Sequence, residues 1–193
     1  MNKTEIIEMW EGFHWLFFVY IQGLIICLRR FETYIEASNF QQAQVELETA
    51  AELMFASGGA MELAGNFSRQ EYEHLIRPDM MPPNVKSDNF SGLMSWDHAL
   101  LIQIWKSLSP VFETLPDPLA PHYDKFVAAY LSLSSSHTAI CDKFGGDEAG
   151  SLRCNKTSAV SKLEKFANNR LKLLDPSHRL TGSCPFSCSV HPN

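Results

Sequence analysis

His137 and Cys141 stand four residues apart in LSLSSSHTAICDKF. On a helix that spacing puts an imidazole and a thiol on one face, with β-carbons about 6 Å apart. An imidazole so placed suits a heme iron, and the thiol suits a vinyl edge of the same porphyrin. The pattern also describes a satisfied core histidine with a buried free cysteine nearby. Its setting bears on the choice. Ser134, Ser135 and Ser136 precede His137 in a helix interior, where serine is a poor helix former, and small side chains let a large flat group approach the backbone. Gly145-Gly146 follows, and its amides could line a polar substrate pocket or form an ordinary glycine cap.

Other groups could join the pair. His98, in SWDHALLI, offers an imidazole able to take a proton from a bound peroxide or phenol; otherwise it is a core histidine with a backbone partner. In EYEHLIRP, Arg77 follows Tyr72. A guanidinium fork suits an amino-acid carboxylate, and a surface arginine at a helix end is the plainer alternative. His178, Cys184, Cys188 and His191 gather soft ligands near the C-terminus, but their spacing matches no zinc module, so a polar tail is expected.

Helices must position these side chains, because helical spacing recurs along the chain and strand alternation never persists. The spacing predicts a first helix from Lys3 to Ile35, apolar all round in its middle and therefore buried. A second is predicted from Phe40 to Phe55, with Val45, Leu47, Ala51, Leu53 and Met54 near one stripe, before Ser57-Gly58-Gly59 loosens the chain. Ser68-Arg69-Gln70-Glu71 is a capping-box signature that should open a short helix ending before Pro78. Further helices are predicted from Ser91 to Leu108, broken by Pro110, from His122 to Phe144, and from Ser158 to Leu174. The aromatics Phe13, Trp15, Phe17, Phe18, Phe90, Trp96 and Trp105 are expected mostly in the core. One helical domain over 1–176 and a polar tail over 177–193 result.

Composition narrows the function classes. A chain of 193 residues, 45% apolar and 20% charged, is an ordinary single globular domain. Net charge is −6, and the Arg29-Arg30 pair is the longest run of cations, so nucleic acid is not an expected partner. Five cysteines without regular spacing argue against a disulfide framework and for a reducing cytoplasm. The apolar stretch from Gly12 to Leu28 follows Glu5, Glu8 and Glu11 and contains His14 and Gln22. It falls short of the roughly 20 apolar residues of a spanning helix and lacks the basic start of a signal peptide. A core helix is expected, and no membrane.

With these residues in view, LSLSSSHTAICDKF followed by GGDEAGSLR resembles the heme helix and Gly-rich loop of the indoleamine and tryptophan dioxygenases. FHWLFFVYIQGLIICLRRFETYI through QEYEHLIRP is similar to the tryptophan enzymes in the order of its elements. His98 with His137-Thr138-Ala139-Ile140-Cys141 resembles more closely the H-x(n)-H-x-x-x-C pattern of the heme-dependent tyrosine hydroxylase branch. The resemblance implies an all-α bundle enclosing a b-type heme, with His137 as axial ligand, Cys141 able to bond the porphyrin and Ser134 against the cofactor. It implies His98 on the distal side and Tyr72, Arg77, Gly145, Gly146 and Ser151 around the substrate. There are departures. Tyr20-Ile21-Gln22 stands where the tryptophan branch has a distal histidine, Gly145-Gly146-Asp147-Glu148 replaces Gly-Thr-Gly-Gly, and one more residue separates Tyr72 from Arg77.

The expected function is a histidine-ligated heme oxygenase or peroxygenase that hydroxylates tyrosine or a related aromatic substrate, with peroxide or molecular oxygen as oxidant. An indole-ring dioxygenase, a non-catalytic heme sensor and a heme-free helical protein are the alternatives. A homo-oligomer is left open.

Overall fold

The computed structural model describes residues 2–84, 95–144 and 159–180, and among them every regular element is helical. Helix α1 (Lys3–Glu36) opens on a capping box: the Glu5 N–H donates to Asn2 Oδ1 at 3.0 Å, and the Asn2 N–H donates to Glu5 Oε2 at 2.9 Å. Asn39 caps α2 (Phe40–Ala64) in turn, accepting from the Gln42 N–H at 3.3 Å. Then come α3 (Arg69–Glu71), a π-helical turn (Tyr72–Ile76), α4 (Arg77–Asp79), α5 (Trp96–Glu113), a 3-10 turn (Asp117–Leu119), α6 (Ala120–Lys143) and α7 (Ala159–Leu174).

The pair α1–α2 forms the largest interface; α6 packs on α2, α5 on α1, and α7 across α5 and α6. Leu24, Leu28 and Phe31 of α1, Leu47 and Met54 of α2, Leu108 of α5 and Phe126 of α6 fill the core. A charge pair ties α1 to α2, Arg30 to the buried Glu46 at 2.8 Å. Beyond α7, the buried Asp175 accepts from the Arg179 N–H at 2.9 Å and the Leu180 N–H at 3.2 Å, and Leu180 packs against the core. The chain is thus fastened to the helices on both sides of residue 176.

Several expectations are corrected. Helix α2 runs on through Ser57-Gly58-Gly59 to Ala64. The small residues bring α2 close to α6 instead of breaking it: a methyl group on Gly65 would meet Ile140 at 3.2 Å, and one on Gly58 would touch the Leu133 backbone at 3.7 Å. Helix packing outweighs the roughly 1 kcal/mol propensity cost of glycine. Val45 lies off the predicted stripe and is half-exposed. Helix α5 continues past Pro110, whose ring lies on the exposed side while Leu108 and Phe112 are buried around it. The short helix beginning after Ser68 likewise runs through Pro78 to Asp79. Helix α1 is long and apolar enough to cross a membrane by length and composition, and it is not buried all round: Trp15 is 72% exposed, with Val19 and Ile26 on the same open side. Trp96 is also exposed, so neither tryptophan is a core residue.

Candidate active site

Helix α6 carries Tyr130, Ser134, His137 and Cys141 at successive steps of four, three and four residues, which places all four on one face. Ser134 is half-buried there, and its carbonyl accepts from Thr138 Oγ1 at 3.0 Å. Three other helices converge on that face. From α5 comes His98, whose backbone is fixed by the helix cap: its N–H donates to Ser95 Oγ at 3.2 Å. From α1 comes Phe17, stacked on the His98 ring at 6.2 Å. From α7 comes Arg170, next to the Tyr130 hydroxyl and lying over the Phe166 ring at 5.7 Å. The Tyr130 hydroxyl also donates to the Ala167 carbonyl at 3.1 Å.

Burial dominates the electrostatics. It pushes the His137 imidazole down to about 4, with the Arg170 charge adding to the effect. His98 is also held down to about 4, first by burial, then by Arg170 and His137. Both rings are therefore neutral at pH 7, the form that binds metals and accepts protons. Burial raises the Cys141 thiol to about 11, so it stays protonated. Two polar atoms here are buried without a hydrogen-bond partner, His98 Nδ1 and Trp105 Nε1, and the Trp105 ring meets Tyr130 edge-on at 5.6 Å. Natural interiors rarely leave such atoms alone, and an orphaned imidazole nitrogen points to a missing group.

The heme implied by the sequence resemblance meets a suitable donor set: a neutral imidazole and a thiol one helical turn apart, with a second neutral imidazole among the surrounding groups. Among the described residues there is no cluster of three or more His, Cys, Asp or Glu side chains that could hold a metal ion.

Beyond Cys141 the stripe runs into a second group. Tyr72 stacks on Phe144 at 4.5 Å, and Phe67 stacks on Phe144 at 5.2 Å. Tyr72 is close enough to Cys141 and Arg77 to feel both, and burial raises its hydroxyl. Arg77 is paired one turn back: its Nη1 donates to both Glu73 oxygens, at 3.0 and 2.7 Å. No contact among the described residues joins Arg77 to His98. The structure thus groups His98, His137, Ser134 and Cys141 and leaves Tyr72 and Arg77 at the far end. Gly145, Gly146 and Ser151 lie outside the described residues, as do the tail's Cys184, Cys188 and His191.

Two site residues were missed from sequence. His14 sits between Trp10 (5.2 Å) and Phe18 (5.4 Å), and Phe18 meets Phe17, so a run of rings links His14 to His98. Burial lowers its imidazole too. The signal was its spacing with Phe17, Phe18 and Ile21, one face of a helix. Arg170 is the second. It interrupts the stripe Leu163, Ala167, Leu174 of an amphipathic helix, where a cation is out of place.

Neutral buried imidazoles have a cost in acid. An unfolded chain protonates its histidines below about 6.5, whereas His98 and His137 resist until about 4. Their contribution is fully present above 6.5 and is lost as pH falls through the window down to 4. Each can remove at most about 1.4 kcal/mol per pH unit within it. Urea midpoints of the cofactor-free protein are expected to drop between pH 7 and pH 5, and a His98→Gln/His137→Gln chain should lose most of that slope. An equal slope in both proteins would refute this assignment.

The profile of the SfmD 3-methyl-L-tyrosine peroxygenase family matches residues 2–122. The 3-methyl-L-tyrosine peroxygenase of Streptomyces lavendulae is 29% identical over 173 residues, which is 88% of this chain and 47% of that protein. The chain thus spans about half the length of this curated relative. No solved structure matches it. The profile match takes in α1 through α5, with Tyr72, Arg77 and His98 inside it and more than half of the residues covered; the chain belongs to the 3-methyl-L-tyrosine peroxygenase family.

Proposed function

We propose that this chain is a heme-dependent peroxygenase that hydroxylates tyrosine or a related phenolic amino acid. The observation that carries the reading is the pair of half-buried, neutral imidazoles close enough to feel one another, His137 of α6 beside the Cys141 thiol and His98 of α5 with an unpartnered, buried Nδ1. The relative's name supplies the substrate class, a tyrosine derivative, and the oxidant class, a peroxide.

In this reading His137 would hold the iron as a neutral imidazole, the form that burial favours above about pH 4. Heme, when bound, supplies the two-electron oxidising chemistry that carries an oxygen atom from peroxide to a phenol ring. The net reaction balances as one peroxide oxygen entering a ring C–H bond and the other leaving as water. His98 holds and returns the proton at Nδ1, the atom left without a partner. Phe17, stacked on His98, fixes its ring plane and excludes water from one side. Cys141, a protonated thiol one turn from His137, is placed to add across a porphyrin vinyl group.

One preparation tests the reading. The protein purified with hemin is expected to show one heme per chain and an imidazole-ligated Soret spectrum. It should convert L-tyrosine or 3-methyl-L-tyrosine to the ring-hydroxylated product with peroxide. Acid–acetone extraction after peroxide exposure should leave heme on the wild type and none on Cys141→Ser. A protein that takes up no heme, or that oxidises none of these phenols, overturns the proposal.

A further inference from the structure

Among the described arginines, Arg170 is unlike the others. Arg30 pairs with Glu46 at 2.8 Å, and Arg77 is paired by Glu73. Arg170 is half-buried among α5, α6 and α7 and pairs with no carboxylate among the described residues. Its contacts are a phenol and an aromatic face: the Tyr130 hydroxyl, and the Phe166 ring at 5.7 Å. Burial keeps Tyr130 protonated, its hydroxyl pushed up to about 12, so the phenol does not neutralise the cation. A buried charge without a counter-charge is costly, and cations in that position are normally paired. The Arg170 charge is felt at both His98 and His137, so any anion it holds lies beside the two imidazoles.

We propose that Arg170 is the carboxylate-binding residue of the site, with its guanidinium held by Tyr130 and Phe166 so that the remaining N–H groups can fork onto an acid bound beside His98 and His137. A fork on a carboxylate supplies the missing counter-charge and two parallel hydrogen bonds. This rests on the peroxygenase reading for the kind of ligand. Two carboxylates are available there, that of a phenolic amino acid and the propionate of a porphyrin. The chemistry is the same for both. Arg77, to which the resemblance assigns a carboxylate, already has a carboxylate partner in Glu73, whereas Arg170 has none among the described residues.

The test uses the full chain and its Arg170→Leu and Arg170→Lys variants, with helicity and melting checked first by circular dichroism. Calorimetry of the heme-free protein compares L-tyrosine with tyramine, which lacks the carboxylate. Soret titration compares hemin with hemin dimethyl ester. If the amino acid is the ligand, Arg170→Leu weakens L-tyrosine about 10- to 100-fold and leaves tyramine unchanged. If the propionate is the ligand, the same loss falls on hemin and spares the ester. Arg170→Lys recovers part of the loss, since the charge remains and the fork does not. Wild-type affinities for both acids in Arg170→Leu overturn the proposal. Should the leucine variant fail to fold, Arg170→Lys decides, and unchanged discrimination between acid and non-acid rejects the role. A wild type that binds no heme defeats the peroxygenase reading alone, because the calorimetric comparison needs none.

Discussion

Replacing His137 with alanine is expected to abolish the imidazole-ligated heme spectrum and to reduce peroxide-driven turnover to background. The expectation follows from position. His137 is the member of the α6 stripe that lies between Ser134 and Cys141, and burial keeps its ring nitrogen free of a proton at every working pH. The alanine variant leaves a ring-sized gap in that face, so added imidazole should enter it and restore the spectrum in part. That rescue separates a lost ligand from a damaged fold. His137→Ala with full heme occupancy, an unchanged Soret band and wild-type turnover would show that the iron is held elsewhere.

The second large effect is expected at His98. Its backbone is pinned by the Ser95 cap and its ring by Phe17, so removing the side chain should leave the helix in place. His98→Ala is expected to lower kcat by about 10²–10⁴-fold, the usual range for a positioned proton carrier. KM should move only a few-fold, because the ring acts in the reaction more than in holding substrate. The pH profile gives an independent reading. An ordinary histidine base would lose activity below about 6.5, whereas His98, held down to about 4, keeps its lone pair well into acid. The acid limb of kcat should therefore lie below 6.5 in the wild type and vanish in His98→Ala. Unchanged kcat in that variant would remove His98 from the mechanism and leave it a core residue.

How far the sequence could be read depended on the distance each inference had to reach. His137 and Cys141 were legible because four residues on a helix fix a face without help from the rest of the fold. His98 was singled out through the resemblance alone, and its unpartnered buried Nδ1 is a tertiary fact that the sequence could not display. Arg77 was assigned from guanidinium chemistry, which is indifferent to the partner, and Glu73 one turn earlier is a partner the sequence already displayed. Arg170 and His14 escaped because their roles depend on where α7 and α1 pack, a tertiary fact that periodicity only hints at. Boundaries failed where local rules met packing. Gly58 and Pro110 are breakers in isolation, and each lies in a helix that buried neighbours hold together.

The π-helical turn at Tyr72–Ile76 has a consequence for how this family can vary in length. One residue added to an α-helix turns every later side chain by about 100°. Here the Arg77 N–H donates to the Tyr72 carbonyl across five residues, so the surplus residue is taken up within one turn. The α-helical hydrogen bonding resumes at once, with the Met80 N–H donating to the Ile76 carbonyl at 3.2 Å. A deletion inside Tyr72–Ile76 can therefore close the turn into ordinary α-helix while the ring stack on Phe144 and the end of α6 stay where they are. A chain one residue shorter in this segment would keep the helix direction on both sides of it.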